Sequence, residues 1–332
     1  MSGGATKAFY FHLGVLKVLQ PHNISSIIGT SAGSVIGAFI ASGANVDNLI
    51  TSLYQKEVYV PKFDAWVKTF TSTMLFRPKF RNLTQQSVQS GIATLRLLMS
   101  LPAIYNRDLV AEVLDRLIDS QMYVSGFFDA NVLEDLFKSL LPSNDFRDTD
   151  IDLYVTATSL DNHERAVFNG NYDFIDHDSH FMNDVPIHKA VRASTSLPGM
   201  FEPVKVKGKY YIDGEIKQTL SVDIGLAVAD KIIISHTYQP VYLPNPQSVR
   251  DLGWLSILKQ SLSIVLQERI NTWRDLYEAE YPEKEMIWIQ PDPEDLEFFL
   301  APEFSFRPEA QKKMIRSGEV AALKALGLPV TT

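Results

Sequence analysis

The sequence predicts an α/β fold in three layers, and three observations predict it. From residue 151 onward, short apolar runs of strand length alternate with longer helical stretches. Near the start, the apolar run 24–28 enters Gly29-Thr30-Ser31-Ala32-Gly33 and leaves it as the small, proline-free run 34–41, which reads as strand, sharp turn and helix. With 332 residues, 45% of them hydrophobic and 21% charged, the chain can bury a large core.

The elements follow in order. Residues 3–8 form a small-residue loop ahead of an apolar helix over 9–19, in which Phe9, Leu13, Leu16 and Leu19 suit packing on a sheet. The strand 24–28, the turn and the helix 34–41 come next. Residues 45–141 change character: segments 47–56, 64–76, 84–101 and 106–120 read as helices, and strand-like runs are scarce. This stretch reads as a helical cap inserted into one catalytic domain that spans 1–330. It is rich in large apolar side chains (Trp66, Phe70, Met74, Leu75, Phe76, Leu97, Leu98 and Met99), which either pack the cap onto the body or form a lipid-facing mouth. Trp66, Phe70 and Met74 recur every four residues, as on one helical stripe. Strands are expected at 151–158, 166–168, 210–212, 232–235 and 286–289, and helices at 187–193, 222–229, 255–277 and 308–326.

Composition narrows the function. The chain has no cysteine, which excludes disulfides, thiolate catalysis and cysteine-based zinc sites. A net charge of −8 argues against nucleic acid as a partner and offers no attraction to an anionic membrane. No run approaches the roughly 18 apolar residues of a membrane span, and Met1-Ser2-Gly3-Gly4 opens without a signal-peptide pattern. The expected location is cytoplasmic or peripheral to a membrane. No cofactor is implied: the nearest approach to a calcium loop, Asp148-Thr149-Asp150-Ile151-Asp152, is followed by Leu153 where the sharp turn needs glycine. The sequence is silent on oligomeric state.

Ser31 is the candidate nucleophile, lifted out of the fold by a turn whose cramped backbone calls for Gly29 and Gly33. The bland alternative is a glycine-rich turn with a helix-capping serine. The loop 3–8 points several amides one way and makes an anion site; full phosphate-loop patterns are absent, so an oxyanion is the better guest. Two proton acceptors are open. Ser31, Asp213 and His236 follow the chain order of an α/β-hydrolase, yet 30 residues cannot hold the strands that fold builds before its serine. His236 also closes the run 231–235 and fits a structural strand-end residue. Asp213, at the end of Tyr210-Tyr211-Ile212 and followed by Gly214, could act directly or simply form a hairpin turn.

These pieces together resemble the patatin-like phospholipases. The matching text is Gly3-Gly4-Ala5-Thr6-Lys7, His12-Leu13-Gly14-Val15-Leu16, Gly29-Thr30-Ser31-Ala32-Gly33-Ser34, Ala193-Ser194-Thr195-Ser196-Leu197-Pro198-Gly199-Met200-Phe201-Glu202-Pro203 and Tyr211-Ile212-Asp213-Gly214, with Ser317-Gly318-Glu319-Val320-Ala321 as a weaker match. The resemblance implies a three-layer α/β/α sandwich with a mixed, mainly parallel sheet. It implies a Ser31–Asp213 dyad without histidine, an oxyanion hole of the Gly3, Gly4 and Ala5 amides, and cleavage of acyl esters in phospholipids, lysophospholipids or neutral glycerolipids. The partners are then a lipid substrate and, transiently, a membrane surface. Rival functions are a catalytically weak lipid-binding protein and acyl transfer to an acceptor other than water. Three departures stand out. Ala5 and Ala8 replace family glycines, Glu215 follows Asp213-Gly214 where a small residue is usual, and the strand before the glycine loop is missing. The last implies either a lost N-terminal segment or a sheet one strand short.

Overall fold

The computed structural model describes residues 1–20, 24–55, 57–60, 65–68, 77–78, 128–129, 131–171 and 179–330. Among them the helices are α1 (Ala5–Leu19), α2 (Ala32–Ala41), α3 (Val46–Tyr54), α4 (Asn131–Leu140), α5 (Ile187–Ser194), α6 (Val222–Val228), α7 (Trp254–Glu280), α8 (Leu296–Leu300) and α9 (Pro308–Ala325). The strands are β1 (Ser26–Thr30), β2 (Glu57–Val60), β3 (Ala65–Lys68), β4 (Arg77–Pro78), β5 (Phe128–Asp129), β6 (Asp152–Ser159), β7 (Arg165–Phe168), β8 (Ser179–Met182), β9 (Val204–Val206), β10 (Lys209–Asp213), β11 (Lys231–Ser235) and β12 (Glu285–Ile289).

β6 is the spine of a six-stranded sheet ordered β8-β7-β6-β10-β9, with β1 also on β6. The layers follow from alternation along the strands. Ile27, Leu153 and Val155 face the large core shared with α1, α2 and α5, whereas Ile28, Tyr154 and Val167 face Ile224 and Val228 of α6. The three-layer α/β fold and its mixed sheet therefore stand. "Mainly parallel" needs correction: β1–β6 and β7–β8 are parallel, but β6–β7, β6–β10 and β9–β10 are antiparallel. The reason is that hairpin-length connections such as β9–β10 cannot make parallel neighbours.

β11 and β12 form a separate parallel pair. Met1 and Ser2 run between that pair and β1, with main-chain bonds from Met1 N to Ile28 O (2.8 Å), Thr30 N to Met1 O (3.1 Å) and Ser2 N to Ser235 O (3.0 Å). His12 of α1 fastens this seam: its ring meets Ser235 Oγ at 2.8 Å and Ser2 O at 3.0 Å. Burial pushes the His12 pKa down to about 3, so the ring is neutral and acts as one donor and one acceptor. Behind it, α1 crosses α9 so closely that a Cβ on Gly14 would lie 1.9 Å from Ile315 O, and one on Gly318 would lie 2.0 Å from Phe11 O.

Around the 45–141 stretch, α3 follows the expected helix, and its Leu49 and Leu53 join the main core. At the other end, Phe137 of α4 packs against Phe39 with ring centroids 4.8 Å apart and the rings tilted by 36°. The helix expected over 64–76 is corrected at its start: residues 65–68 are β3, paired antiparallel with β2 so that Trp66 opposes Tyr59. Trp66, Val67 and Tyr59 favour a strand once a partner run is within hairpin reach. Phe70, Met74, Leu75, Phe76, Leu97, Leu98, Met99 and the helices expected at 84–101 and 106–120 lie outside the described residues.

Candidate active site

The fold brings Ser31 and Asp213 together through a single edge of β6. β1 runs parallel to β6 along that edge and ends with Thr30 opposite Thr156. β10 runs antiparallel along the same edge and ends with Asp213 opposite Ala157. The two strands therefore meet end to end at adjacent residues of β6. Ser31 follows β1 by one residue, so it and Asp213, the last residue of β10, line the same cavity, and the Ser31 hydroxyl favours the Asp213 carboxylate. A Thr30 Oγ1–Thr156 Oγ1 bond of 2.6 Å pins the junction, and Gly214 fits there because a Cβ would come within 2.6 Å of Thr156 O.

Ser31 itself is strained, with φ 50° and ψ −118°, a conformation that costs about 1–3 kcal/mol outside glycine. Its surroundings hold it. The Ser31 N–H donates to Ser194 Oγ at 2.8 Å, and Ser34 Oγ donates to Ser31 O at 2.6 Å. The turn closes tightly enough that a Cβ on Gly33 would lie 2.4 Å from Met1 O, and one on Gly29 2.5 Å from Gly33 O. Both glycines are thus required by close approach. Ser194 had no assigned role in the sequence; its signals were its place just past the 187–193 helix and its position in the family-like run 193–203.

Asp213 is 2% exposed. Burial pushes its carboxyl up to about 6, against the Ser31 and Glu215 N–H hydrogen bonds that favour the carboxylate. The Glu215 N–H reaches Asp213 Oδ1 at 3.0 Å. His236 does not join them. It is fully buried beside Tyr238 and Trp288, burial pushes its pKa down to about 3, and no hydrogen bond among the described residues links it to Ser31 or Asp213.

The glycine loop lies against this pair. Gly4 has φ 119° and opens α1 without a side-chain cap; of the first-turn amides, that of Lys7 donates to Glu303 O at 3.2 Å, while those of Ala5 and Thr6 meet no side-chain cap. Ala5 has φ 56°, in the left-handed region that glycine tolerates better. Gly3 differs: its N–H donates to Glu215 Oε1 at 2.5 Å, and Tyr238 O–H donates to Glu215 Oε2. Burial and the neighbouring Asp213 charge push the Glu215 carboxyl up to about 8. Tyr238 and its bond to Glu215 were not legible in the sequence.

Ser31, Asp213, Gly4, Ala5 and Glu215 line one cavity of about 900 Å³. Its walls are largely apolar, with Phe9, Val35, Leu258, Leu262 and Phe299 among them. Such a volume suits a chain-like apolar ligand. One wall is α7, of whose 27 residues only Ile270 and Tyr277 are buried. Among the described residues no helix is long and apolar enough to cross a membrane.

No curated protein sequence matches the chain. Among solved structures, VipD from Legionella pneumophila is similar at 16% identity with a TM-score of 0.46, over 98% of this chain and 66% of that one. Residues 1–226 match the family model described as patatin-like phospholipase. The match covers the glycine loop, the Ser31 turn and the Asp213 strand end, and the chain belongs to the patatin-like phospholipase family, a family of lipid acyl hydrolases.

Proposed function

We propose that the chain hydrolyses carboxylic esters of phospholipids, lysophospholipids or neutral glycerolipids through an acyl-enzyme on Ser31, with Asp213 as general base. The observation that carries this reading is the end-to-end meeting of β1 and β10 on β6, which gives a strained serine a buried carboxylate partner at the wall of an apolar cavity. Asp213 takes the Ser31 proton as Oγ attacks the ester carbonyl. Amides of the Gly3-Gly4-Ala5 loop receive the oxyanion, and the N-terminal end of α2 adds its positive dipole. The proton returns to the leaving alcohol; Asp213 then activates the water that frees the acyl chain. Asp213 works alone because its raised pKa makes it a stronger base than an ordinary carboxylate while leaving it ionised at neutral pH.

Contact with a lipid surface belongs to this reading. Trp254 and Leu255, 71% and 63% exposed, stand at the start of α7, and Leu255 also lines the cavity. A second reading, a slow enzyme that mainly binds lipid, is favoured by one observation: Glu215 already holds the Gly3 amide.

The test is labelling by a fluorophosphonate probe together with hydrolysis of phosphatidylcholine vesicles and p-nitrophenyl esters. Wild type should label and turn over. Ser31→Ala should lose the label and at least about 10³-fold in kcat with an unchanged melting temperature. Full activity in Ser31→Ala would refute the nucleophile.

A further inference from the structure

We propose that Glu215 is an internal occupant of the oxyanion site, which must swing off the Gly3 amide before an ester can be turned over. The proposal rests on the reading of Ser31 as nucleophile and of the 3–5 loop as oxyanion donor. Gly3 N–H, the first amide of that loop, is taken by Glu215 Oε1 at 2.5 Å, and the other carboxyl oxygen accepts from Tyr238 O–H. The carboxyl group also lies on the nucleophile's side of the loop. A Cβ built on Gly3 would be 2.7 Å from Ser31 Cβ, 3.0 Å from Glu215 Cγ and 3.1 Å from Glu215 Oε1. The serine and the glutamate thus crowd the same side of Gly3. Gly4, Ala5 and Glu215 reach the cavity wall, whereas Gly3 does not.

The arrangement suits a group that leaves. The Glu215 main chain is fixed by its N–H bond to Asp213, so only the side chain has to turn. Glu215 lines the cavity, which is the space its side chain would turn into. The carboxyl is pushed up to about 8 by enclosure and by Asp213. Near neutrality it is largely the uncharged acid, whose hold on an amide is weaker than a carboxylate's. An oxyanion forming on the substrate carbon carries full charge and competes for the same N–H on better terms. The resting state is therefore closed, and the substrate's own developing charge, or a lipid filling the cavity, opens it.

The experiment measures kcat and KM for p-nitrophenyl butyrate and the rate of fluorophosphonate labelling in wild type, Glu215→Ala, Glu215→Gln and Tyr238→Phe. One oxyanion donor is worth about 10²–10³ in kcat, so Glu215→Ala should raise kcat and the labelling rate by about tenfold or more with little change in KM. Glu215→Gln keeps an acceptor over Gly3 and should gain less than Glu215→Ala. Tyr238→Phe frees one end of the carboxyl and should also accelerate labelling, by a smaller factor. If Glu215→Ala, folded by its melting curve, labels no faster than wild type, Glu215 holds the loop in place instead and the proposal is overturned. If Glu215→Ala does not fold, unaccelerated Tyr238→Phe overturns it in the same way. Absence of labelling in every protein would overturn the nucleophile reading, and this proposal with it.

Discussion

Replacing Asp213 by Asn should destroy activity and, at neutral pH, stabilise the protein. The folded state keeps the Asp213 proton up to about pH 6, whereas the ordinary carboxylate value is 3.8. Between those values the folded protein binds more protons than the unfolded chain, so stability falls as pH rises through this window. What this group contributes is fully present below 3.8 and lost above about 6. At about 1.4 kcal/mol per pH unit, the interval amounts to about 3 kcal/mol, undiminished by solvent because the side chain is 2% exposed. Asn has the same shape, accepts from the Glu215 N–H and carries no charge, so it escapes the loss. For 332 residues, at about 2.1 cal/mol/K per residue, 3 kcal/mol corresponds to a melting-temperature change of about 4 °C. Differential scanning fluorimetry on both proteins should show the Asp213→Asn advantage growing by about that much from pH 4 to pH 7. Groups that titrate in both proteins cancel, and Glu215, held up to about 8, stays protonated through most of the window. Over the same range, wild-type kcat/KM should fall about tenfold per pH unit below pH 6, because the base is then protonated. A constant gap in melting temperature, or half-maximal activity near pH 4, would refute the buried-base argument.

The other predictions concern the loop, the histidine and the cavity. At Ala5, φ 56° costs about 1 kcal/mol for alanine, close to the entropy a glycine loses on folding. Ala5→Gly should therefore melt within about 2 °C of wild type, and Ala5→Val, β-branched at a left-handed position, several degrees lower. His236→Phe should keep kcat within about threefold, since the ring touches neither Ser31 nor Asp213; a loss matching Ser31→Ala would restore a triad. Leu262 lines the cavity yet is 55% exposed, so Leu262→Glu should fold normally. It should lower hydrolysis of a palmitoyl ester about tenfold or more, by setting a charge against the acyl chain, while a butyrate ester loses about twofold; equal losses would place the acyl chain elsewhere.

Much of the site was legible because it is local. The strand–turn–helix around Ser31 is written in consecutive residues, and the strand ending at Asp213-Gly214 is too, although its local text fits a hairpin turn as well and only the resemblance gave Asp213 a role. What the sequence hid depends on partners far along the chain. The strand β9 is three residues long and β8 reads Ser-His-Phe-Met, both too short for a period of two to register. At Trp66 the four-residue spacing suited a helix, and only the antiparallel run at residues 57–60 decides for a strand. Glu215 stood out as an odd neighbour of Asp213, but its seat on Gly3 joins residues 212 positions apart, and no pattern within either segment reports that contact.

The shared edge of β6 also bears on how such a protein can change. Ser31 and Asp213 are each referenced to one of two adjacent residues, Thr156 and Ala157, so their separation is fixed by one peptide step of a buried strand. Thr30 and Thr156 are 126 positions apart in the chain, and β1 and β6 pair directly, so the register between them does not depend on the length of the stretch that follows α3. Changes of length in that stretch leave the pairing of β1 and β10 on β6 untouched. Inserting a single residue into β6 at this point would separate the two strand ends by about 3.3 Å and end catalysis at once.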